Sequence, residues 1–270
     1  MSGPHYEVYA IKYAHHARRK SENFIGGDPH DGPMPLDYFV WLIREAGKNA
    51  GREIVVDTGF SAPMAAKRQR DHLRCPTEGL RFLNVDSRNI KDVVITHLHY
   101  DHVGNFDLFP AAMFHLQDLE MSYATGRHMA QPVFSGAYEV EDVVGMVRRV
   151  YAGRVQFHAG DAEIAPGISL HLIGGHTMGI QVVRVATRRG WLVLASDASH
   201  FYANMEQVRP FPIVYSVAAM VEGYARLRAL ADSPAHIIPG HDPLVLARYP
   251  APPGPSPSNS ALQGIVARLD

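Results

Sequence analysis

The tightest constraint on this 270-residue chain is one segment, Thr96-His97-Leu98-His99-Tyr100-Asp101-His102. It follows directly on residues 92–96 (DVVIT), a short apolar run that reads as a buried strand. In a loop at a strand end, His97, His99, Asp101 and His102 can all turn toward one cavity. Neutral imidazole and carboxylate are the ligand types that hold zinc, iron or manganese. Gly104 then lets the chain turn tightly.

Three more ligand-type residues sit just past apolar runs. His176 follows residues 168–173, Asp197 follows 191–195, and His241 follows 235–238. Side chains at the ends of different strands can converge, so the three join the dense motif as candidates. Composition agrees: 16 histidines stand against one cysteine, which favours nitrogen and oxygen ligands over a thiolate cluster. The lone Cys75 cannot form a disulfide within the chain.

Further strands are expected at 6–13, 38–43, 53–56, 113–116, 155–158 and 181–186, with NAGR at 49–52 as a hairpin turn between the second and third. Helices are expected at about 62–73, from Asp118, over 140–151 (apolar at 140, 143, 144, 147, 150 and 151) and over 216–230 (apolar at 217, 220, 221, 224, 227 and 230). Residues 122–138 lack periodicity and read as a loop or lid. Pattern alone gives a mixed α/β chain. Two halves of similar order suggest an αββα four-layer sandwich of two mixed β-sheets flanked by helices. One catalytic domain is expected over 1–249, followed by a Pro/Ser-rich tail over 250–270.

The segment THLHYDH resembles the HxHxDH signature of the metallo-β-lactamase-fold superfamily, with His176, Asp197 and His241 matching its remaining ligand positions in order. The resemblance covers about residues 6–247 and implies the same four-layer fold. It implies that His97, His99 and His176 hold one divalent ion, that Asp101, His102 and His241 hold a second, and that Asp197 bridges them. Zinc is the first choice for both, with Fe²⁺, Mn²⁺ or Co²⁺ also suited to these ligands. Asp57, in VVDTGF, resembles a position that orients the motif loop. Such a site keeps residual positive charge, which attracts a carbonyl and stabilises an oxyanion.

Within the superfamily the length, the VVDTG strand and the SDAS segment resemble the N-acyl homoserine lactonase-like hydrolases. The spacing of the ligand positions resembles members that lack a large inserted cap, and no appended flavodoxin-like domain is expected. That group implies a quorum-quenching lactonase in which a metal-bridging hydroxide attacks a lactone and Asp101 passes the proton to the leaving group. Its members commonly carry a Tyr three residues after the bridging Asp. Here that position is His200, and Tyr202 lies two residues further on. Either is a candidate oxyanion donor, and His200 a candidate proton donor. The departure leaves open another cyclic ester, a small ester, amide or thioester, or a phosphodiester.

Lys plus Arg number 26 against 27 Asp plus Glu, and no basic run occurs. That argues against a nucleic-acid partner and for a small-molecule substrate. No signal-peptide core and no membrane-spanning apolar run are read, so a cytoplasmic location is expected. The aromatic and Met-containing loops suit a homodimer interface or a lid. Phe24, Met34, Met121, Tyr123, Phe134, Phe201 and Phe211 are candidate pocket walls, and residues 21–39 are irregular enough to cover a site. His30, His115, His128, His158 and His171 have no ligand context.

Overall fold

A computed structural model describes residues 3–47, 51–252 and 262–270. The strands are β1 (Tyr6–His16), β2 (Leu36–Glu45), β3 (Glu53–Val56), β4 (Asp71–His72), β5 (Asp92–Val94), β6 (Met113–Gln117), β7 (Val155–His158), β8 (Ala162–Ala165), β9 (Ile168–Leu172), β10 (Gln181–Thr187), β11 (Gly190–Ser196), β12 (Ile237–Pro239) and β13 (Val266–Arg268). They form two sheets. One runs β13-β1-β2-β3-β5-β6-β7, with β4 also on β1, and the other runs β12-β11-β10-β9-β8. Both are mixed: β3, β5, β6 and β7 pair in parallel, as do β11 and β12, and the remaining pairs are antiparallel.

Strand alternation explains why the sheets stack. In β2, Phe39, Trp41 and Ile43 face the second sheet, while Tyr38, Val40 and Leu42 face the opposite way. β1 divides likewise, Val8 and Ala10 against Tyr9, Ile11 and Tyr13. A strand with apolar residues on both faces must be covered on both. The outer cover of the first sheet comes from α1 (Ala62–Arg68), α2 (Pro76–Arg81), α3 (Tyr100–Val103), α4 (Asp118–Ala124), α5 (Pro132–Ser135) and α6 (Val140–Tyr151). The second sheet is covered by α7 (Tyr202–Glu206), α8 (Val217–Leu230) and α9 (Leu244–Arg248). The result is the expected αββα sandwich. No helix among the described residues is long and apolar enough to cross a membrane.

Several expectations need correction. The helix at 62–73 stops at Arg68, because Gln69 takes a left-handed conformation at φ 56° and residues 71–72 pair with β1. Residues 122–138 are not structureless: they hold the end of α4, a 3₁₀ turn at Arg127–Ala130 and α5. In α6 the core takes Val143 and Met146 and leaves Val140 and Tyr151 exposed. β8 was not expected. Nor was β13, which places residues 266–268 in the first sheet beside Tyr9–Ile11 rather than in a trailing tail. Residues 253–261 of the expected Pro/Ser-rich tail, and Asn49 and Ala50 of the NAGR turn, lie outside the described residues.

Candidate metal centre

The site is built where strands of both sheets end. β3 runs into Asp57, a non-glycine residue held at φ 60°. Its carboxylate explains the strain. Oδ1 accepts the Thr96 N–H at 2.8 Å and Oδ2 accepts the Thr96 hydroxyl at 2.9 Å, tying the end of β3 to the loop after β5. Thr96 Oγ1 in turn lies 3.0 Å from Ser196 Oγ at the end of β11, so one hydroxyl links the two sheets.

Around this link the chain gathers two groups of ligand-type atoms, His97, His99, His176 and Asp197 in one and Asp101, His102, Asp197 and His241 in the other. In the first, His99 Nδ1 lies 3.0 Å from both His97 Nε2 and His176 Nε2, and Asp197 Oδ2 lies 3.2 Å from His176 Nε2. In the second, Asp197 Oδ1 lies 2.9 Å from His241 Nε2 and 3.4 Å from His102 Nε2, with Asp101 Oδ2 3.4 Å from the same His102 atom. All seven are buried. The two oxygens of Asp197 thus face different groups. Gly240 permits this approach, since a Cβ there would stand 2.8 Å from Asp197 Oδ1.

The donor set fits divalent ions. Burial holds His97 and His99 well below the usual imidazole range, so both present neutral nitrogens. Burial pushes the Asp197 carboxyl up, but His200, His241 and His102 outweigh it, and the group stays ionised. His102 Nε2 and Asp197 Oδ1 are buried with no hydrogen-bond partner, as atoms that face a cation would be. The opposite ring nitrogens are engaged: His176 Nδ1 with the Ile213 carbonyl at 2.7 Å, His241 Nδ1 with the Asp37 carbonyl at 2.9 Å, and His102 Nδ1 with Asp57 Oδ2 at 2.7 Å. Such bonds fix the tautomer and aim the free nitrogen inward.

Glu120, absent from the sequence reading, holds this arrangement from below. Its Oε1 accepts the Leu98 N–H at 2.9 Å and the Tyr138 hydroxyl at 2.8 Å. Its Oε2 accepts the Thr177 hydroxyl at 2.6 Å and the Gly179 N–H at 3.2 Å. One buried carboxylate therefore joins the HxH loop to the His176 loop. Only glycine fits at 179, where a Cβ would come within 2.0 Å of Glu120 N. The one faint sequence signal is an acidic residue in the first turn of α4.

A cavity of about 290 Å³ opens over the two groups, lined by His99, Asp101, His176, Asp197, His200 and His241 among others. His200 Nε2 lies 3.1 Å from Asp197 Oδ2, and its ring stacks on Phe211 at 3.7 Å. Burial lowers His200 to about 3, so it is uncharged near neutral pH, unlike the proton donor expected. Tyr202 is not brought to the cavity. It opens α7, and its ring packs under the Arg248 guanidinium at 3.8 Å, among residues of the second sheet. Of the expected wall residues, Phe134 and Phe211 line the cavity, and Leu36 and Tyr38 represent the 21–39 region. Phe24 is instead buried beneath Arg209 at 4.2 Å, and Met34, Met121, Tyr123 and Phe201 pack in the outer core.

Comparison with known proteins agrees with this geometry. N-acyl homoserine lactonase AiiB of Rhizobium rhizogenes is 28% identical over 174 residues, 61% of this chain and 61% of that protein. N-acyl homoserine lactonase AttM of Azorhizobium caulinodans is 27% identical over 187 residues, 65% of this chain and 66% of that protein. The match thus spans less than two thirds of either relative. A crystal structure of a quorum-quenching N-acyl homoserine lactone lactonase superposes with a TM-score of 0.71 at 21% identity, covering 87% of this chain and 92% of that one. A second, with the product N-hexanoyl-L-homoserine bound at the catalytic metal center, gives 0.70 at 20% identity over 87% and 93%. These structures share the fold. The family model described as the metallo-beta-lactamase superfamily matches residues 34–241, from the strand before the cavity to the last histidine of the centre. Fold, ligand geometry and that match agree: the chain belongs to the metallo-beta-lactamase superfamily.

Proposed function

We propose that this chain is a dinuclear metal-dependent hydrolase that opens a lactone or a closely related small cyclic ester. The observation that carries the reading is Asp197, whose two oxygens serve two buried groups of ligand-type side chains at one cavity. His97, His99 and His176 would hold one ion, Asp101, His102 and His241 the other, and Asp197 both, with zinc the first candidate. When bound, such a pair supplies Lewis acidity and a hydroxide at neutral pH.

The chain's own residues supply the rest. His200, uncharged and stacked on Phe211, gives its Nε2–H to Asp197 and holds that carboxylate in place. Asp101 lines the cavity as a carboxylate kept ionised by His102 and His241 against its burial. In this reading it carries a proton to the departing alkoxide. Val133, Phe134 and Ile213 line the cavity and limit water. The names of the lactonase relatives support the choice of a lactone over other esters.

The test is a panel of lactones, esters, thioesters and bis-p-nitrophenyl phosphate on protein of measured metal content. Two ions per chain with lactone opening, abolished by a chelator and restored by metal, is expected. Full metal loading with no lactone opened, or hydrolysis unaffected by metal removal, overturns the reading.

A further inference from the structure

Three arginines line the cavity beside the ligand groups, Arg18, Arg68 and Arg70. They are not equivalent. Arg68 is neutralised by Glu139, whose Oε1 accepts its Nε–H at 3.0 Å and its Nη2–H at 2.6 Å. Among the described residues Arg18 and Arg70 have no such partner. Arg18 gives one Nη2–H to the Glu22 carbonyl at 2.6 Å, and its Nε is buried with no acceptor at all. Arg70 gives its Nε–H to the Tyr100 hydroxyl at 3.2 Å and an Nη1–H to the Arg68 carbonyl at 2.6 Å. Every acceptor these two guanidiniums meet is a neutral oxygen.

Glu22 offsets part of the Arg18 charge through space but forms no ion pair with it, and its Oε2 accepts the Arg19 N–H at 2.7 Å. Burial pushes the Tyr38 and Tyr100 phenols up, so both stay protonated. His16 is held at about 4 by burial and by Arg70 and Arg18, and is neutral. The carboxylates at the cavity floor, Asp101 and Asp197, already face histidines of the centre. Each guanidinium has five N–H donors in a planar fork that matches a carboxylate or phosphate oxygen pair. Two like charges at a cavity wall, one with a buried donor unused, are an arrangement that an incoming anion completes.

We propose that Arg18 and Arg70 form an anion-binding subsite, and that the substrate is an anionic lactone or ester held there by a carboxylate or phosphate-type group. The proposal rests on the hydrolase reading above for its substrate, while the subsite stands on the arginines alone. It separates this chain from an enzyme for uncharged acyl lactones.

The experiment uses one lactone scaffold with three side-chain ends, carboxylate, phosphonate and the neutral carboxamide, on metal-loaded protein. A preference for either anion over the carboxamide of at least about tenfold in kcat/KM is expected, and the better anion identifies the natural group. Arg18→Gln and Arg70→Gln should each remove most of that preference, with metal content unchanged. Calorimetric binding of the same compounds reads the subsite without turnover. If no lactone opens but the anions still bind in an Arg18- and Arg70-dependent way, the hydrolase reading fails and the subsite stands. Equal binding and rates for anionic and neutral ends, or a preference untouched in both variants, overturns the subsite.

Discussion

His102 Nδ1 lies 2.7 Å from Asp57 Oδ2, and both side chains are closed off from solvent. The bond leaves Nε2 as the only free nitrogen of that ring, facing Asp101 and Asp197. Asp57→Asn puts an amide where the acceptor was. Metal affinity should fall by about 10- to 100-fold, with the loss concentrated on the ion at His102. Competition against a chelating indicator measures it, and an unchanged affinity would show that Asp57 serves the backbone alone.

Asp197 is shared, whereas His241 belongs to one group. Asp197→Ala should therefore lower the occupancy of both sites, and His241→Ala of one. Turnover should drop on the order of 100-fold or more in each. Elemental analysis of the purified variants counts the ions; equal losses in the two would contradict the shared role.

The two residues that resembled substrate donors should now behave differently. Tyr202, under Arg248, is expected to tolerate replacement by Phe with kcat/KM within about twofold. His200→Ala loses a bond to the Asp197 carboxylate, a change of about 1.5–3 kcal/mol, roughly 10- to 100-fold in rate. A drop confined to Tyr202→Phe would reverse the assignment.

Asp142, in the first turn of α6, tests stability rather than chemistry. Its Oδ2 is buried without a partner, while Lys67 and Arg68 are both taken by Glu139. Burial, then Glu139, raises the carboxyl to about 6 from 3.8. A folded pKa above the unfolded one means the native state holds the proton more tightly. This group's contribution to stability therefore declines as pH rises from about 4 to 6 and is flat above. Asp142→Asn should raise Tm at pH 8 and converge on the parent as pH falls toward 4. Parallel curves would place the carboxyl in water.

The contiguous motif was legible because its meaning is local: four ligand types in one loop need no knowledge of what packs elsewhere. His176, Asp197 and His241 were legible through a weaker rule, that strand ends converge, and Asp57 only through the family resemblance. Tyr202 shows where that rule stops. It lies close to Asp197 in the chain, but the turn into α7 sends its ring to the other side of the strand ends. Glu120 could not be read, since its four donors come from Leu98, Tyr138, Thr177 and Gly179. Arg18 and Arg70 sit in HHARRK and RQRD, which look like ordinary solvated charge. β8 (AEIA) and β13 (VAR) are too short and too mixed for periodicity to register.

The outer margin of β1 is closed piecemeal. β13 covers Tyr9–Ile11 and β4 covers Ala14 and His15. Between and beyond them, Lys12 N–H reaches the Ile265 carbonyl at 2.8 Å, Leu73 N–H the Tyr13 carbonyl at 2.9 Å, and Leu269 N–H the Val8 carbonyl at 2.8 Å. An eleven-residue apolar strand left bare would be a template for adding a foreign strand. Removing the last nine residues, 262–270, would strip that guard and leave the metal ligands untouched. The shortened protein would be active when dilute and self-associating when concentrated, so its shelf life would depend on a segment remote from its chemistry.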